Sequence, residues 1–469
     1  MITAMKPKLI TLVLLAFSFF FNSCRNVPDN EAFVRISEDD PRYFCLSNGN
    51  TYIPIGCNIA AMSSVELMEH YMEELHRNGG NFARVWLNSD FFEIQKTYGV
   101  WEESSIAHID RLLELADLYG IKVKMCIESF RMIQPGRNKW NVKASYHKSN
   151  GGPFEDMQDY ISSEAGKAEF IRRLEFLQQR YGDHPSVFGW ELWNEMNAVE
   201  ATGIEDWNVE MLAKVHEMFP QNLVMQSLGS LDRTGSFGIY EYINSLPSND
   251  VMQVHRYIDE GAELDICSAP SDLLCQDAIN HMKAYGLMKP VLLAEGGAVK
   301  PVHTGPHDIY KVDTLGTVLH DFLFAPFFCG SAGSGHLWHW DHYIDKVDVW
   351  FQIGRFSEAI KGIDPVKEAF TAERNDNGRM RVYTLNGKDH IMSWCRDTVS
   401  TWKNEWVDGV PAETLSGETL DLSGLVQGRK VGKVEIYDPW NNVWTEADNS
   451  ALVSLPEFKR STVVKLTIL

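Results

Sequence analysis

The sequence predicts an α/β chain: a (β/α)8 TIM barrel followed by an all-β sandwich. Three observations carry this. Eight short apolar runs alternate with helical patterns between Tyr52 and Phe370. Glycine often stands where a helical stretch ends and the next strand begins, as at a helix C-cap. After Phe370 helical periodicity gives way to short alternating runs separated by turns. An open doubly wound sheet is the alternative. It fits less well, because no Gly-rich phosphate loop follows the first run.

The strand candidates, in order, are Tyr52–Cys57, Asn81–Leu87, Ile121–Ile127, Val187–Trp193, Leu223–Ser227, Val251–His255, Val291–Ala294 and His336–Trp340. Between the first two, Val65, Met68, Met72 and Leu75 recur at helical spacing before Gly79-Gly80. Ile109, Leu112, Leu113 and Ala116 repeat the pattern before Gly120, and Phe170, Leu174 and Leu177 before Gly182. Met211, Leu212 and Val215 precede Pro220; Leu274, Ile279 and Met282 precede Gly286; Val318, Leu319 and Phe322 follow. Only the fifth unit, Phe237 to Leu246, carries a weak helical signal. Ahead of the barrel, Phe33–Ile36 and Tyr43–Leu46 flank Asp39-Asp40-Pro41 and predict a hairpin over its N-terminal end. Barrel and hairpin together are expected over residues 31–370. Glu373 to Gly378 reads as a polar linker, and residues 378–469 as the sandwich.

The 469 residues hold 44% hydrophobic side chains, enough for one large and one accessory domain. The formal charge of −21 disfavours nucleic acid, whose phosphates it repels, and is indifferent to neutral sugars. At the start, Lys6 and Lys8 precede an apolar run from Leu9 to Phe21, then Cys24. That run suits a signal peptide better than a membrane span. Residues 1–24 are expected to be a lipoprotein signal whose Cys24 is lipidated, with ordinary signal cleavage as the alternative. The mature chain would be secreted, a monomer held at the bacterial envelope, periplasmic or outer-membrane, by that lipid anchor alone. The other seven cysteines form no disulfide framework, though Cys267 and Cys275 lie close enough in sequence for a bridge to stay open. No Cys/His spacing reads as a zinc site.

In a parallel barrel the chemistry sits at the C-terminal strand ends. The second run offers Arg84, the fourth Asn194 and Glu195, the sixth His255 and Tyr257, the seventh Glu295, the eighth Trp338 and Trp340. Two carboxyls meeting at one mouth suit glycosidic cleavage, one protonating the leaving oxygen and the other attacking the anomeric carbon. Glu128 and Arg131, after the third run, are expected to form a structural ion pair.

These segments resemble glycoside hydrolase clan A, family 5 in particular. Trp190-Glu191-Leu192-Trp193-Asn194-Glu195 resembles its acid/base motif and Pro290-Val291-Leu292-Leu293-Ala294-Glu295 its nucleophile strand. His255-x-Tyr257, Asn81-Phe82-Ala83-Arg84-Val85-Trp86 and Pro54-Ile55-Gly56-Cys57-Asn58 resemble its sixth, second and first strands. The third strand departs from it, since no His follows. The resemblance implies Glu195 as general acid/base with a raised pKa, and Glu295 as nucleophile of a retaining double displacement. It implies that Arg84, Asn194, His255, Tyr257 and either Trp338 or Trp340 bind the carbohydrate substrate. It implies no cofactor and no metal. A β-linked glycan of mannan or glucan type is the expected substrate. An exo-acting β-glycosidase and a non-catalytic surface glycan-binding lipoprotein are the alternatives. The C-terminal Trp440 and Trp444 are expected to pack rather than to bind sugar.

Overall fold

A computed structural model of the chain describes residues 27–135 and 144–469. Cys24 lies outside the described residues. Strands β1 (Val34–Ile36), β2 (Phe44–Leu46) and β3 (Thr51–Tyr52) form an antiparallel meander. Seven parallel barrel strands follow: β4 (Gly56–Asn58), β5 (Phe82–Trp86), β6 (Lys122–Glu128), β7 (Val187–Trp193), β8 (Leu223–Met225), β9 (Met252–Ile258) and β10 (Val291–Ala298). The first expected strand is therefore split. Pro54 has no N–H for a ladder, so Thr51–Tyr52 joins the hairpin and only Gly56–Asn58 joins the barrel.

The eighth strand is not a strand among the described residues. It is reduced to Leu337, which bridges Cys57 on one side and Gly296 on the other. The Asn58 amide stitches this seam, donating to the carbonyls of Ala294 (3.2 Å) and His336 (3.0 Å). Trp340 does not continue the run but opens a π-helical turn, Trp340–Ile344. Between β8 and β9 the wall is joined by the Asp250 N–H on the Val224 carbonyl (2.9 Å) and the Gln226 N–H on the Asn249 side chain (3.1 Å).

The outer layer contains α1 (Val65–Arg77), α2 (Glu103–Tyr119), α3 (Met157–Ser162), α4 (Glu164–Tyr181), α5 (Ile204–Met218), α6 (Phe237–Ser245), α7 (Ser271–Lys283), α8 (Thr317–Phe328) and α9 (Phe351–Ala359). Each stripe named in the sequence faces inward: Met68, Met72 and Leu75 on α1, and Ile109, Leu112, Leu113 and Ala116 on α2, are buried. Gly120 caps α2 in the left-handed conformation, φ 67°, its N–H returning to Ala116 and Asp117. The weakly signalled sixth helix does form, burying Tyr240 and Ile243. The meander seals the barrel floor. Its Val34, Phe44 and Leu46 pack with Phe82, Phe188, Leu223, Val251 and Leu292, which lie at or near the starts of five barrel strands.

The polar stretch expected as a linker is instead the edge strand β11 (Thr371–Asn377). It pairs with β12 (Met380–Asn386), whose hydrogen bonds hold it extended although its side chains are largely exposed. β13 (His390–Asp397) follows, and β14 (Thr414–Leu415), β15 (Thr419–Asp421), β16 (Val431–Asp438), β17 (Val443–Ala447), β18 (Leu452–Ser454), β19 (Phe458–Lys459) and β20 (Ser461–Ile468) complete the region. The main sheet is antiparallel in the order β11-β12-β13-β20-β16-β17. Side chains alternate between two interiors. Val382, Ile391 and Cys395 meet Leu415, Leu420 and Phe458 from the short ladders β14/β19 and β15/β18. Tyr383, Met392 and Trp394 join the barrel core.

That second face is locked by buried ions. Arg381 holds Asp272 of α7 (2.6 and 2.9 Å), and Arg396 holds Asp321 of α8 (2.9 and 3.1 Å). Trp440 donates to Ser461 and rests on His320, and Trp444 donates to Glu358 of α9. Both tryptophans are packing groups. Cys267 and Cys275 are free thiols. Among the described residues no helix is long and apolar enough to cross a membrane.

Candidate active site

The strand ends converge on one buried ionic cluster. Its centre is Arg84 of β5, fully buried, with all five N–H groups engaged. Nε and Nη2 grip Glu191 of β7 in a bidentate pair (3.0 and 2.6 Å). Nη1 reaches Asn58 of β4 (3.1 Å) and Glu295 of β10 (2.7 Å), and Nη2 also reaches Asn194 (2.7 Å). One guanidinium on β5 thus fixes groups from three other barrel strands and their ends. Glu191 receives Lys124 (2.9 Å) and the Ser227 hydroxyl (2.6 Å) as well. Burial alone would raise its pKa. Arg84 and Lys124 outweigh burial and hold the carboxyl far below the usual range. Burial brings Lys124 down to about 8 against the pull of Glu191.

Glu295 owes its aim to a β-bulge. The register of β10 on β9 slips at Ala294, so Glu295 stands opposite His255, and Gly297 opposite Tyr257. Tyr257 donates to Glu295 Oε1 (2.5 Å) while Arg84 donates to Oε2. Burial and then the charge of Glu295 push the Tyr257 phenol well above its ordinary pKa, so it stays a donor. Gly297, φ 140°, leaves the room that the Tyr310 hydroxyl needs, since a Cβ there would lie 2.6 Å from it.

Glu195 follows β7 with a left-handed backbone, φ 52° and ψ 54°, a conformation uncommon outside glycine. Its N–H donates to Ser227 (3.1 Å). His255 Nδ1 lies 3.2 Å from Glu195 Oε1 and 3.6 Å from Glu295 Oε2. An oxygen of each glutamate and a ring nitrogen of His255 fall within 4.8 Å of one another. The Asn194 carbonyl is taken by Arg84, which turns its NH2 end the other way. Trp86 lies against Trp338 (ring centroids 4.9 Å), and Trp338 stands perpendicular to Trp340 (5.3 Å, 88°). Trp338 is partly exposed. Trp340 is only 6% exposed. Of the two, Trp338 is the one a ligand could reach.

Two sequence expectations fail here. Arg131 does not pair with Glu128; it donates to Glu195 Oε2 (2.6 Å). Glu128 instead meets Arg173 (3.3 Å) and the Tyr146 hydroxyl (2.7 Å), and burial raises it to about 7. Nor is Glu195 raised. Burial acts upward, but the His255 hydrogen bond and charge, then Arg131 and His303, bring it down to about 2. The expectation counted burial and the charge of Glu295 but not the His255 hydrogen bond or the Arg131 guanidinium.

Sequence reasoning also gave no role to Glu191, Lys124 or Asn58. A signal for Lys124 was present: it stands between Val123 and Met125 within a strand run, where a buried charge needs a partner.

No protein-family model matches the chain. Among curated proteins it is similar to mannan endo-1,4-beta-mannosidase 4 of Oryza sativa subsp. japonica, 24% identical over 216 residues, covering 40% of this chain and 46% of that protein. Mannan endo-1,4-beta-mannosidase 3 of Arabidopsis thaliana is 22% identical over 293 residues, covering 55% and 68%. The chain spans about half the length of the first rice relatives it matches, 46% and 52%. Among solved structures, a glycoside hydrolase family 5 protein from Bacteroides vulgatus ATCC 8482 aligns with TM-score 0.62 at 13% identity, covering 94% of both chains. The endo-1,4-beta-mannanase from Rhizomucor miehei aligns with TM-score 0.52 at 18% identity, covering 70% of this chain and 99% of that one. The chain shares the (β/α)8 barrel fold of these solved structures. The first alignment also runs through the C-terminal sheet, so the whole architecture, barrel and appended β region, is shared.

Proposed function

We propose that the chain is a retaining glycoside hydrolase that cleaves β-mannan-type glycans. The observation that carries this is the carboxyl pair. Glu195 and Glu295 approach within 4.8 Å at one cluster, close to the 5–5.5 Å spacing of retaining enzymes and short of the 6.5–9.5 Å of inverting ones. The mannan preference rests on the curated relatives.

In the first step Glu295 attacks the anomeric carbon and Glu195 gives its proton to the departing oxygen. In the second, Glu195 takes a proton from water, which displaces Glu295 and restores the starting configuration. Arg84 and Tyr257 keep Glu295 aimed. Asn194 offers its NH2 to a sugar hydroxyl, Trp338 floors the pocket, and His255 lines the acid/base. Proton NMR of fresh product from a panel of β-mannans and β-glucans tests the reading. The β-anomer is expected to appear first, and an α-anomer appearing first removes the covalent step. We further propose that Cys24 carries a lipid anchoring the chain to the envelope, tested by incorporation of labelled palmitate and its loss in Cys24→Ala.

The low pKa of Glu195 in the free site has a consequence. A general acid must hold its proton, so Arg131 has to yield when substrate seats. Removing a cation raises a neighbouring carboxyl. In Arg131→Ala the basic limb of kcat/KM, where free Glu195 loses its proton, is therefore expected to move to higher pH, by on the order of one unit. The pH profile of the variant checks this, and an unmoved limb refutes it.

A further inference from the structure

Beside the mouth the backbone is unusually strained. Val302 and His303 are consecutive non-glycine residues in the left-handed region, φ 60° and 54°. A β-branched side chain rarely adopts it, and strain of this kind persists only where the surroundings over-determine it. What determines it here is one buried carboxylate. Asp259, just after β9, accepts through Oδ1 from the N–H groups of Gly261 (2.8 Å) and Val302 (2.9 Å). Through Oδ2 it accepts from the His303 N–H (3.2 Å) and bonds His303 Nδ1 (2.9 Å). Asp259 is 2% exposed. Gly261 has to be bare, because a Cβ would lie 2.6 Å from the Val302 nitrogen.

The cradle yields a fixed imidazole. The His303 ring stands edge-on to Tyr257, the phenol that donates to Glu295, with centroids 4.9 Å apart at 77°. Nδ1 is committed to Asp259, so Nε2 is the ring nitrogen left for a ligand. The His303 side chain is 37% exposed, and Val302 beside it is 72% exposed, among the most exposed large apolar residues described. A turn that only reversed the chain would use glycine or asparagine at such positions.

We propose that His303, fixed by Asp259, is a further substrate-contacting residue whose Nε2 hydrogen-bonds a sugar hydroxyl beside Tyr257, with Val302 giving that sugar an apolar contact. This rests on the glycoside hydrolase reading above. The probe is β-1,4-mannohexaose, with cellohexaose and xylohexaose as comparisons. KM and kcat are measured for wild type, His303→Ala and His303→Gln. Binding is measured by calorimetry with the same changes on a Glu195→Gln background, where the ligand stays whole. His303→Ala is expected to raise KM and Kd about tenfold, the value of one hydrogen bond (about 1.4 kcal/mol), with kcat within about threefold. His303→Gln, whose amide reaches as far as Nε2, recovers a large part of the loss. Unchanged KM and Kd in His303→Ala overturn the proposal, as does a fall in kcat at constant Kd. Binding that depends on His303 without any hydrolysis by wild type keeps this inference and removes the hydrolase reading. Neither binding nor cleavage of any of the three removes both.

Discussion

Glu295→Ala is expected to lose about four orders of magnitude or more in kcat, with substrate binding retained. The residue is not a structural acid that happens to be near. Its two oxygens are held by different donors, Arg84 at 2.7 Å and Tyr257 at 2.5 Å, so the carboxylate is fixed in one orientation with Glu195 across the gap. Removing it leaves the acid and the sugar-binding groups in place, so the loss falls on the chemical step. The stereochemistry adds a sharper check. A small anion such as azide entering the vacated space attacks the face that Glu295 used, and its product carries the inverted configuration. Single-turnover kinetics with and without azide, followed by NMR of the glycosyl azide, tests both parts. A Glu295→Ala variant that still cleaves within tenfold of wild type would sink the assignment.

Arg84→Met is expected to be the most damaging single change to stability in the barrel, by about 3–5 kcal/mol. In the wild type the buried centre balances: Arg84 and Lys124 against Glu191 and Glu295. Methionine fills similar space but leaves one negative charge uncompensated in the interior, and Asn58 and Asn194 lose their donor. Hydrolysis falls too, since Glu295 and Asn194 lose their aim. Urea denaturation gives the stability and steady-state kinetics the activity. Adding Glu191→Gln removes the stranded charge, so the double variant should lose less than the sum of the singles, by about 1–3 kcal/mol. Strict additivity would show that Arg84 and Glu191 do not act as a unit.

Much of this was legible in the sequence. Seven of the eight strands were readable because each is a short buried run ending in polar residues, and parallel barrel strands carry that pattern. Arg84, Asn194, Glu195, His255, Tyr257 and Glu295 stand at strand ends, and strand ends are where a barrel gathers its groups. What escaped was pairing. Arg131 and Glu128 are neighbours in sequence, but β6 delivers Glu128 to Arg173 of α4 and Arg131 to Glu195 beyond β7. Adjacency along the chain cannot rank such partners. The pKa of Glu195 was misjudged for the same reason: burial is readable from an apolar run, whereas a cation arriving from another loop is not. The edge strand Thr371–Asn377 was missed because it has almost no buried face, and backbone pairing with β12 leaves no mark in hydrophobic pattern.

The Leu337 closure bears on how the molecule breathes. Five of the wall's joints are ladders of several paired residues, but here a single residue carries the bridges to both neighbours, reinforced by one asparagine amide. The N–H groups of His336 and Trp338 are bonded to the carbonyls of Leu293 and Gly296, but a joint this short opens locally long before the whole domain unfolds. The amides of residues 336–338 should trade protons for deuterium sooner than those of β6 or β7. Trp338 rides on this hinge-like stretch, so the aromatic surface offered to a ligand belongs to a yielding part of the cylinder.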